Sequence, residues 1–398
     1  MFSSYRALLA RAGARSLALA CALGWLVFAG YSLAVILAVH AASGSFAEAG
    51  GAVAAFAVGS GIGAPARGRL IDRRGARYLF VFAVGHAAAS GALVVCCALR
   101  VGAAPLLVAA GLAGLLAPPL IATARRVWGE VAGELTPTAH ALNGALGDAG
   151  SLAGPAMAGG LAAAVSPSFG FAVMTGTASV AAAFVASRWG GRSLASAGDA
   201  AAEGGQGHLL VVSPGLLTLL LGDAAFGVAF GAIEVAVTAL CARAHAAELA
   251  AVPLSATAAG SVLVSLWSGT GRLGKSAAWR YLTGCWLAGL ALLPLLVLRS
   301  IAGTSLILVL SGAGLGLFAV ALYELLDEVV PEHRAVEAFT WLTTGQAAGM
   351  AFGSAVAGQL TGAGAGMSFA LACAAGMAGV VIASVRRGTL SRAGELVQ

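Results

Sequence analysis

A short, strongly charged segment separates two apolar stretches of membrane-spanning length early in this chain. Its residues, 68–77, read GRLIDRRGAR. Charged side chains and an irregular backbone cannot lie in hydrocarbon, so this segment must be a tight loop at a membrane surface. Its pattern of Gly-Arg-Leu followed by Arg-Tyr-Leu recurs about half a chain later, at 271–273 and 280–282. The repeat predicts a duplicated membrane bundle.

The overall composition also requires a lipid environment. Hydrophobic residues make up 60% of the chain and charged residues only 10%, and the mean hydropathy is +0.93. A water-soluble domain carries about 25% charged residues. The net charge of +6 is spread over short loops and forms no basic face, which argues against a nucleic-acid partner.

Motifs of soluble enzymes are missing from the sequence. There is no glycine-rich phosphate loop, no GxSxG, no HExxH and no nucleotide-binding domain that would power an ATP-driven pump. The six cysteines have neither CxxC nor CxxxxH spacing, which argues against a disulfide framework and a metal site. We therefore expect no enzymatic activity and no bound cofactor or metal.

Apolar stretches of about 20 residues can cross a bilayer as helices, and the sequence contains twelve of them. They occupy 17–39, 46–64, 78–98, 105–123, 139–164, 169–187, 212–238, 250–270, 281–298, 304–325, 337–360 and 366–385. The long polar stretch after the sixth is rich in Gly, Ala and Ser, as flexible linkers are. The sequence thus predicts an all-α membrane protein with twelve transmembrane helices in two pseudo-symmetric six-helix bundles, 1–187 and 209–398, joined by a cytoplasmic linker, 188–208.

Positive charge lies mainly on one side of the predicted helices. With both termini in the cytoplasm, 19 of the 22 Lys and Arg residues are cytoplasmic, and the others are Arg100, Arg243 and Arg299. Lys and Arg accumulate on the cytoplasmic side of membrane proteins. We therefore expect a multi-pass protein of the bacterial inner membrane with both termini inside. A cleaved signal peptide is the alternative for the N-terminus, but its apolar run of about 23 residues is longer than an h-region.

The charged segment resembles the signature loop between helices two and three of the major facilitator superfamily, G-x-x-x-D-R-x-G-R-[RK]. The matching residues are Gly68, Asp72, Arg73, Gly75 and Arg77. The resemblance implies two six-helix domains that rock around a central site. The resemblance also implies that Gly68 and Gly75 allow close packing and a tight turn. Asp72 would act as a charge latch, an ionic contact that stabilises one access state. The alternative is that the arginines only anchor topology. The second copy has lost the aspartate, so the latch is expected on one side only.

The fifth predicted helix carries a second resemblance. Gly150, Gly154 and Pro155, followed by two more glycines, are similar to the G-x-x-x-G-P…G-G motif of exporter branches of the superfamily, with one extra residue before the second glycine pair. The resemblance implies outward transport. Small residues four apart let helices pack closely, and in the family helices two, five, eight and eleven meet at the domain interface. Similar spacings are formed by Gly59, Gly63, Gly345, Gly349 and Gly353.

Three carboxylates are predicted to lie within the membrane. Asp148 and Asp223 each lie about ten residues into their helices, near the midplane. Glu234 follows Asp223 by eleven residues, which places it within roughly 20° of the same helix face and about 16 Å further out. Ionisable residues are costly in lipid and mark functional sites, so we expect these three to couple protons to substrate. The alternatives are local hydrogen bonds from Asp148 to Ser151 or Asn143, and an interfacial position for Glu234.

Uncharged polar side chains in the predicted helices are further candidates for lining a cavity. They are Tyr31, Ser32, Asn143, Tyr323 and Gln346. Packing is the alternative for the tyrosines and Ser32, and the favoured interpretation of His86. Glu324 belongs to an acidic cluster at the end of the tenth helix, where a solvated loop is the simplest explanation and pairing with Arg125 and Arg126 is another.

These observations predict a secondary transporter that exports a small amphipathic, drug-like or sugar-like molecule in exchange for protons by alternating access. An importer or proton symporter on the same scaffold is the first alternative. A membrane sensor or scaffold that has lost transport is the second. We expect a monomer whose partners are the substrate, protons and the lipid bilayer.

Overall fold

The structure, a computed structural model, describes residues 2–190, 214–268, 276–298, 300–330 and 335–391. Within these ranges the secondary structure is helical, with short 3-10 turns and no strand. The α-helices are α1 (Phe2–Ala10), α2 (Ala14–Ser43), α3 (Phe46–Arg74), α4 (Tyr78–Ala98), α5 (Ala103–Leu115), α6 (Leu120–Ala132), α7 (Thr136–Ala164), α8 (Pro167–Trp189), α9 (Pro214–Arg243), α10 (Ala251–Ser268), α11 (Ala277–Leu292), α12 (Ile301–Val329), α13 (Ala335–Leu360), α14 (Ala365–Val385) and α15 (Gly388–Ser391).

Each of the twelve predicted spans coincides with a helix or with a pair of consecutive helices. By length and composition, ten segments of the described chain are apolar enough to cross a membrane. The other two predicted spans correspond to α7, with 29 residues, and α13, with 26 residues, and both are long enough to cross at 1.5 Å per residue. The predicted linker lies outside the described residues from position 191 onwards.

The charged segment 68–77 is mostly helical, which corrects the prediction of a loop. Helix α3 continues to Arg74, and the turn is confined to three residues. Gly75 makes that turn with φ of +88°, and its N–H donates to the Ile71 carbonyl at 2.8 Å. Gly68 has open space around it, since an added Cβ would meet nothing within 4 Å, so the expected close packing there is wrong. Long basic side chains allow a helix to continue past the hydrocarbon because they reach water.

The fourth span is divided, which corrects the prediction of one continuous helix over 105–123. Helix α5 ends at Leu115 and α6 begins at Leu120. The residues between include Pro118 and Pro119, which have no N–H and interrupt the helical hydrogen bonds. The hydropathy of the sequence continues across this point because proline and alanine are not strongly polar.

The helices form two compact units. One comprises Met1–Gly44 with Ala55–Glu203, and the other comprises Ser45–Ala54 with Gly204–Gln398. The short segment Ser45–Ala54 belongs to the second unit because Gly50 packs on the Ser354 backbone, where an added Cβ would lie 3.1 Å from the carbonyl carbon. The domain boundaries at 187 and 209 remain a prediction.

The same pattern of helix pairing occurs inside each unit. In the first unit α2 packs against α7 and α8, and α4 packs against α5 and α8. In the second unit α9 packs against α13 and α14, and α11 packs against α12 and α14. The first span of each unit therefore contacts the fifth and sixth, and the third contacts the fourth and sixth. This repeated packing is the structural counterpart of the repeated sequence.

Glycines allow the closest of these contacts. An added Cβ at Gly154 would lie 2.8 Å from the Gly30 nitrogen, and one at Gly353 would lie 2.9 Å from the Val228 carbonyl carbon. The glycines of the exporter-like motif thus pack α7 on α2 within one unit. The domain-interface position that the family resemblance implied for helices two, five, eight and eleven remains a prediction. Small residues are needed because lipid offers no hydrophobic driving force, and tight backbone packing replaces it.

Candidate functional site

Asp223 in α9 is a buried carboxylate with a side-chain partner on a neighbouring helix. Its side chain is 4% exposed, and Oδ1 accepts a hydrogen bond from Nε2 of Gln346 in α13 at 3.3 Å. A buried carboxylate requires a partner or a proton, because a charge away from water is costly. The structure thus brings together two residues that the sequence identified separately.

Tyr281 of α11 packs on α9 one residue before Asp223. Its side chain is fully buried, and its hydroxyl points at Gly222, the neighbour of Asp223, where any larger residue would overlap it. The ring packs on Phe318, with centroids 5.1 Å apart. The hydrogen bond to Asp223 comes from the neutral amide of Gln346 on α13, and Tyr281 fills the space beside the preceding residue of α9.

Glu234 is also buried in α9, with 3% exposure. It lies three turns beyond Asp223, and the hydroxyl of Thr238 donates to its backbone carbonyl at 2.7 Å. Its role as a proton relay remains a prediction. The interfacial position, which was the alternative for Glu234, also remains a prediction.

The polar residues of α7 in the first unit have different surroundings. The Asn143 side chain is buried, and its Oδ1 accepts a hydrogen bond from Nε1 of Trp25 at 3.4 Å. The Asp148 side chain is exposed on the surface of its unit. Ser151, which was considered as a local partner of Asp148, donates to the Gly147 carbonyl at 3.0 Å. Burial therefore distinguishes Asp223 from the other midplane acid.

Tyr31 lies in a buried aromatic cluster of the first unit. Its ring is 4.3 Å from that of Phe56 and 5.5 Å from that of Phe171, measured between centroids, and its hydroxyl is 3.5 Å from Ser90 Oγ. Ser32 is half-buried on the same helix. These contacts are those of packing residues, and a cavity-lining role for Tyr31 and Ser32 remains a prediction.

His86 of α4 lies beside the same cluster. Its ring centroid is 5.9 Å from that of Tyr31, and its Nδ1 is 2.8 Å from the Ala113 carbonyl oxygen. The side chain is 2% exposed. A buried histidine with a backbone partner is the packing residue that the sequence favoured.

The tenth span presents an exposed tyrosine beside an ion pair. Tyr323 in α12 is 47% exposed. The next residue, Glu324, forms a bidentate ion pair with Arg280 of α11, and the longer bond, between Nη1 and Oε1, measures 3.0 Å. The arginine in the second copy of the signature pattern thus has an acidic partner supplied by a neighbouring helix. The second copy therefore has a charge contact of its own, although its pattern has lost the aspartate.

The signature segment of the first unit is a cluster of basic and aromatic groups. Arg74 donates to the Tyr78 hydroxyl at 3.2 Å, and the guanidinium carbons of Arg74 and Arg77 lie 5.7 and 5.5 Å from the Tyr78 ring centroid. Asp72 and Arg73 belong to α3, but their side chains lie outside the described residues. The latch role of Asp72 stays a prediction.

Arg67 is the buried charged residue that sequence reasoning missed. It is 5% exposed, and its guanidinium donates to the Gly114 carbonyl of α5 at 2.9 Å. The only signal available was an arginine one residue before the signature pattern combined with a proline pair at the end of the fourth span. No local spacing links these two places, because they are separated by the whole of α4.

A duplicated set of apolar helices with the same pairing in each unit is the architecture of many secondary transporters. A model of the Major Facilitator Superfamily matches residues 17–354. The chain belongs to this superfamily and is a multi-pass membrane protein.

Solved structures share this fold across nearly the whole chain. A bacterial homologue of the human lysosomal transporter Spinster, inward-facing and occupied, is 15% identical with a TM-score of 0.68, covering 98% of this chain and 97% of its own. A mutant of the nucleoside transporter NupG is 10% identical with a TM-score of 0.74, covering 94% and 98%. A D-xylose-proton symporter is 15% identical with a TM-score of 0.71, covering 94% and 97%. No curated protein sequence matches the chain. At such identities the likeness is one of fold.

Proposed function

We propose that this protein exports a small amphipathic, drug-like or sugar-like molecule in exchange for protons, by alternating access between its two bundles. The observation that carries the proposal is Asp223, 4% exposed at mid-helix with a neutral amide as its hydrogen-bond partner. A carboxyl group within a membrane span marks a functional site, and a proton or a cationic substrate group can compete for it. No catalytic step is part of the proposal.

Outward transport rests on the exporter-like motif at Gly150, Gly154 and Pro155. The same fold is found in a D-xylose-proton symporter, so import with protons is the second candidate. A sensor without transport is the third. We further propose a monomer in the bacterial inner membrane, with Glu234 as a step for protons and with Asn143, Tyr323 and Gln346 in contact with substrate.

Purified protein in liposomes separates these candidates. A pH gradient is imposed, and ethidium, D-xylose and uridine serve as probes for an amphipathic cation, a sugar and a nucleoside. Export in exchange for protons requires one probe to move against its gradient in the direction opposite to the protons. Movement of a probe in the same direction as the protons supports the symporter. Binding of a probe without transport of any probe supports the sensor.

The predicted topology gives a first test in cells. Reporter domains fused after Arg192 and after Gln398 are both expected to be cytoplasmic, and one inserted near Ser43 is expected to be external, because 19 of 22 positive charges then lie inside. Alkaline phosphatase reports an external position, and green fluorescent protein reports a cytoplasmic one. Signals from opposite sides for the first two fusions would contradict an even number of spans between them.

Asp72 gives a second test, directed at the signature segment. The change Asp72→Asn removes the charge and nearly keeps the shape, so a latch that stabilises one access state would be lost. We expect transport of the responding probe to fall several-fold while the amount of protein in the membrane stays near normal. Equal rates for variant and parent over a range of probe concentrations would leave only the anchoring role.

A further inference from the structure

The break in the fourth span removes two specific hydrogen bonds. In an α-helix the carbonyl of residue i accepts from the N–H of residue i+4. The carbonyls of Gly114 and Leu115 would therefore be served by residues 118 and 119, and both of these are proline. Proline has no N–H. Both carbonyls at the end of α5 therefore lose their i+4 donors. The Gly114 carbonyl still accepts from the Ala117 N–H at 3.1 Å. A donor from another helix stabilises the Leu115 carbonyl, because an unpaired backbone carbonyl is costly away from water.

Arg67 of α3 supplies donors to those same two carbonyls. Its Nη1 donates to Gly114 O at 2.9 Å and also to Leu115 O. Its Nη2 donates to the backbone carbonyl of Ser60 at 3.0 Å and to the Ser60 hydroxyl at 3.3 Å. The positive charge also lies at the negative end of the α5 dipole, which favours a cation there.

A glycine makes room for this contact. An added Cβ at Gly63, one turn before Arg67, would lie 2.6 Å from the Leu115 carbonyl oxygen and would overlap Nη1 of Arg67. By contrast, an added Cβ at Gly61 on the same helix would meet nothing within 4 Å. The approach of the Arg67 guanidinium to the break therefore depends on Gly63. Gly63 and Gly61 form a matched pair of positions for substitution.

The second unit has neither part of this arrangement in its described helices. Its fourth span, α12, is a continuous helix of 29 residues without proline. Its second span, α10, contains neither arginine nor lysine in its 18 residues. The proline pair and the buried arginine occur together in one half of a duplicated chain and are both missing from the corresponding helices of the other half.

We propose that Arg67 of α3 is a side-chain latch that fixes the angle between α5 and α6 at the double proline by holding the end of α5. When the guanidinium leaves the two carbonyls, α6 is free to change its angle relative to α5. Arg67 is a positioning residue in this device. The inference concerns the bend of the fourth span and stands apart from proton coupling at Asp223, and its tests require no substrate.

The first test is a stability cycle in purified protein. Arg67→Met is expected to lower the apparent melting temperature by roughly 5 °C, because the Gly114 and Leu115 carbonyls lose a charged donor. In a background with Pro118→Ala and Pro119→Ala, the N–H groups are restored, and the same Arg67→Met change is expected to have little effect. An equal loss in both backgrounds, or no loss in either, would overturn the proposal.

The second test reads the bend itself. Spin labels are placed on cysteines introduced at Val108, 62% exposed, and at Gly129, whose Cβ direction is open, in a background with Cys96→Ala. A straight helix would separate these positions by roughly 30 Å. We expect one narrow distance distribution in the parent, a broader one with Arg67→Met, and a narrow, longer one when the two alanines are added. A distribution unchanged by Arg67→Met would contradict a latch.

The glycine pair keeps the proposal testable if the double-alanine protein does not fold. Gly63→Ala should displace the guanidinium, and we expect it to broaden the distance distribution and to lower the melting temperature as Arg67→Met does. Gly61→Ala should change neither. The same result for both glycines would show that the space at Gly63 is unrelated to the bend.

Discussion

Replacing Asp223 with asparagine is expected to abolish uphill, pH-driven transport. For the probe that the parent protein transports, the ratio of its concentrations on the two sides of the liposome membrane is then expected to fall to one. Asparagine keeps the size of the side chain and an oxygen that can accept from Gln346. Asparagine cannot bind and release a proton in the physiological pH range, so the variant has no proton-binding group at this position to couple transport to the proton gradient. Downhill exchange of the probe, which needs only binding and alternating access, is expected to persist.

The matched control is Asp148→Asn, which changes the other acid near mid-helix. Its side chain is exposed on its unit, whereas Asp223 is buried. We expect the Asp148 variant to retain uphill transport. The opposite pattern, with coupling lost in the Asp148 variant and kept in the Asp223 variant, would move the coupling site to α7.

The second large effect is expected from a single added methyl group. At Gly353 in α13, a Cβ would overlap the carbonyl of Val228, with its carbon 2.9 Å away. Backbone atoms cannot move aside as a flexible side chain can, so Gly353→Ala must separate α13 from α9. Overpacking of this kind costs about 1–3 kcal/mol, and we expect the melting temperature of purified protein to fall by several degrees. Gly353→Leu is expected to prevent folded protein from accumulating.

Gly345 provides the control on the same helix. An added Cβ there would meet only the Leu220 carbonyl oxygen, at 4.0 Å. Because alanine favours the helix over glycine by about 1 kcal/mol, Gly345→Ala is expected to leave the melting temperature unchanged or to raise it. Equal destabilisation at both positions would show that the close approach at Gly353 does not contribute to stability.

Hydropathy was sufficient to locate the helices because lipid imposes one rule on every span. About 20 apolar residues must form a helix to satisfy their backbone groups, and this rule identified even α7 and α13, with their many small residues. Hydropathy taken over a whole span concealed the break at Pro118 and Pro119, because the apolar character continues there although the helical hydrogen bonds do not. Hydropathy also led to the wrong prediction of a loop over 68–74, because the charged residues there were interpreted as the end of a helix.

The candidate site was only partly predictable. Asp223 could be identified from the cost of a carboxylate in lipid. Its contact with Gln346 could not, because it depends on how α9 and α13 rotate against each other, and that rotation is set by glycines such as Gly349 and Gly353. The role of Arg67 was hidden for the same reason. Its two partners on α5 lie 47 and 48 residues away in sequence.

Proton movement driven by substrate alone tests the central claim most directly. Liposomes containing the protein and the trapped pH dye pyranine are given a gradient of the responding probe with no pH gradient. Coupled export predicts that the internal pH changes as the probe moves, with protons crossing in the opposite direction, and that Asp223→Asn removes this change. Dissipation of the probe gradient by the parent protein without any pH change would contradict proton coupling.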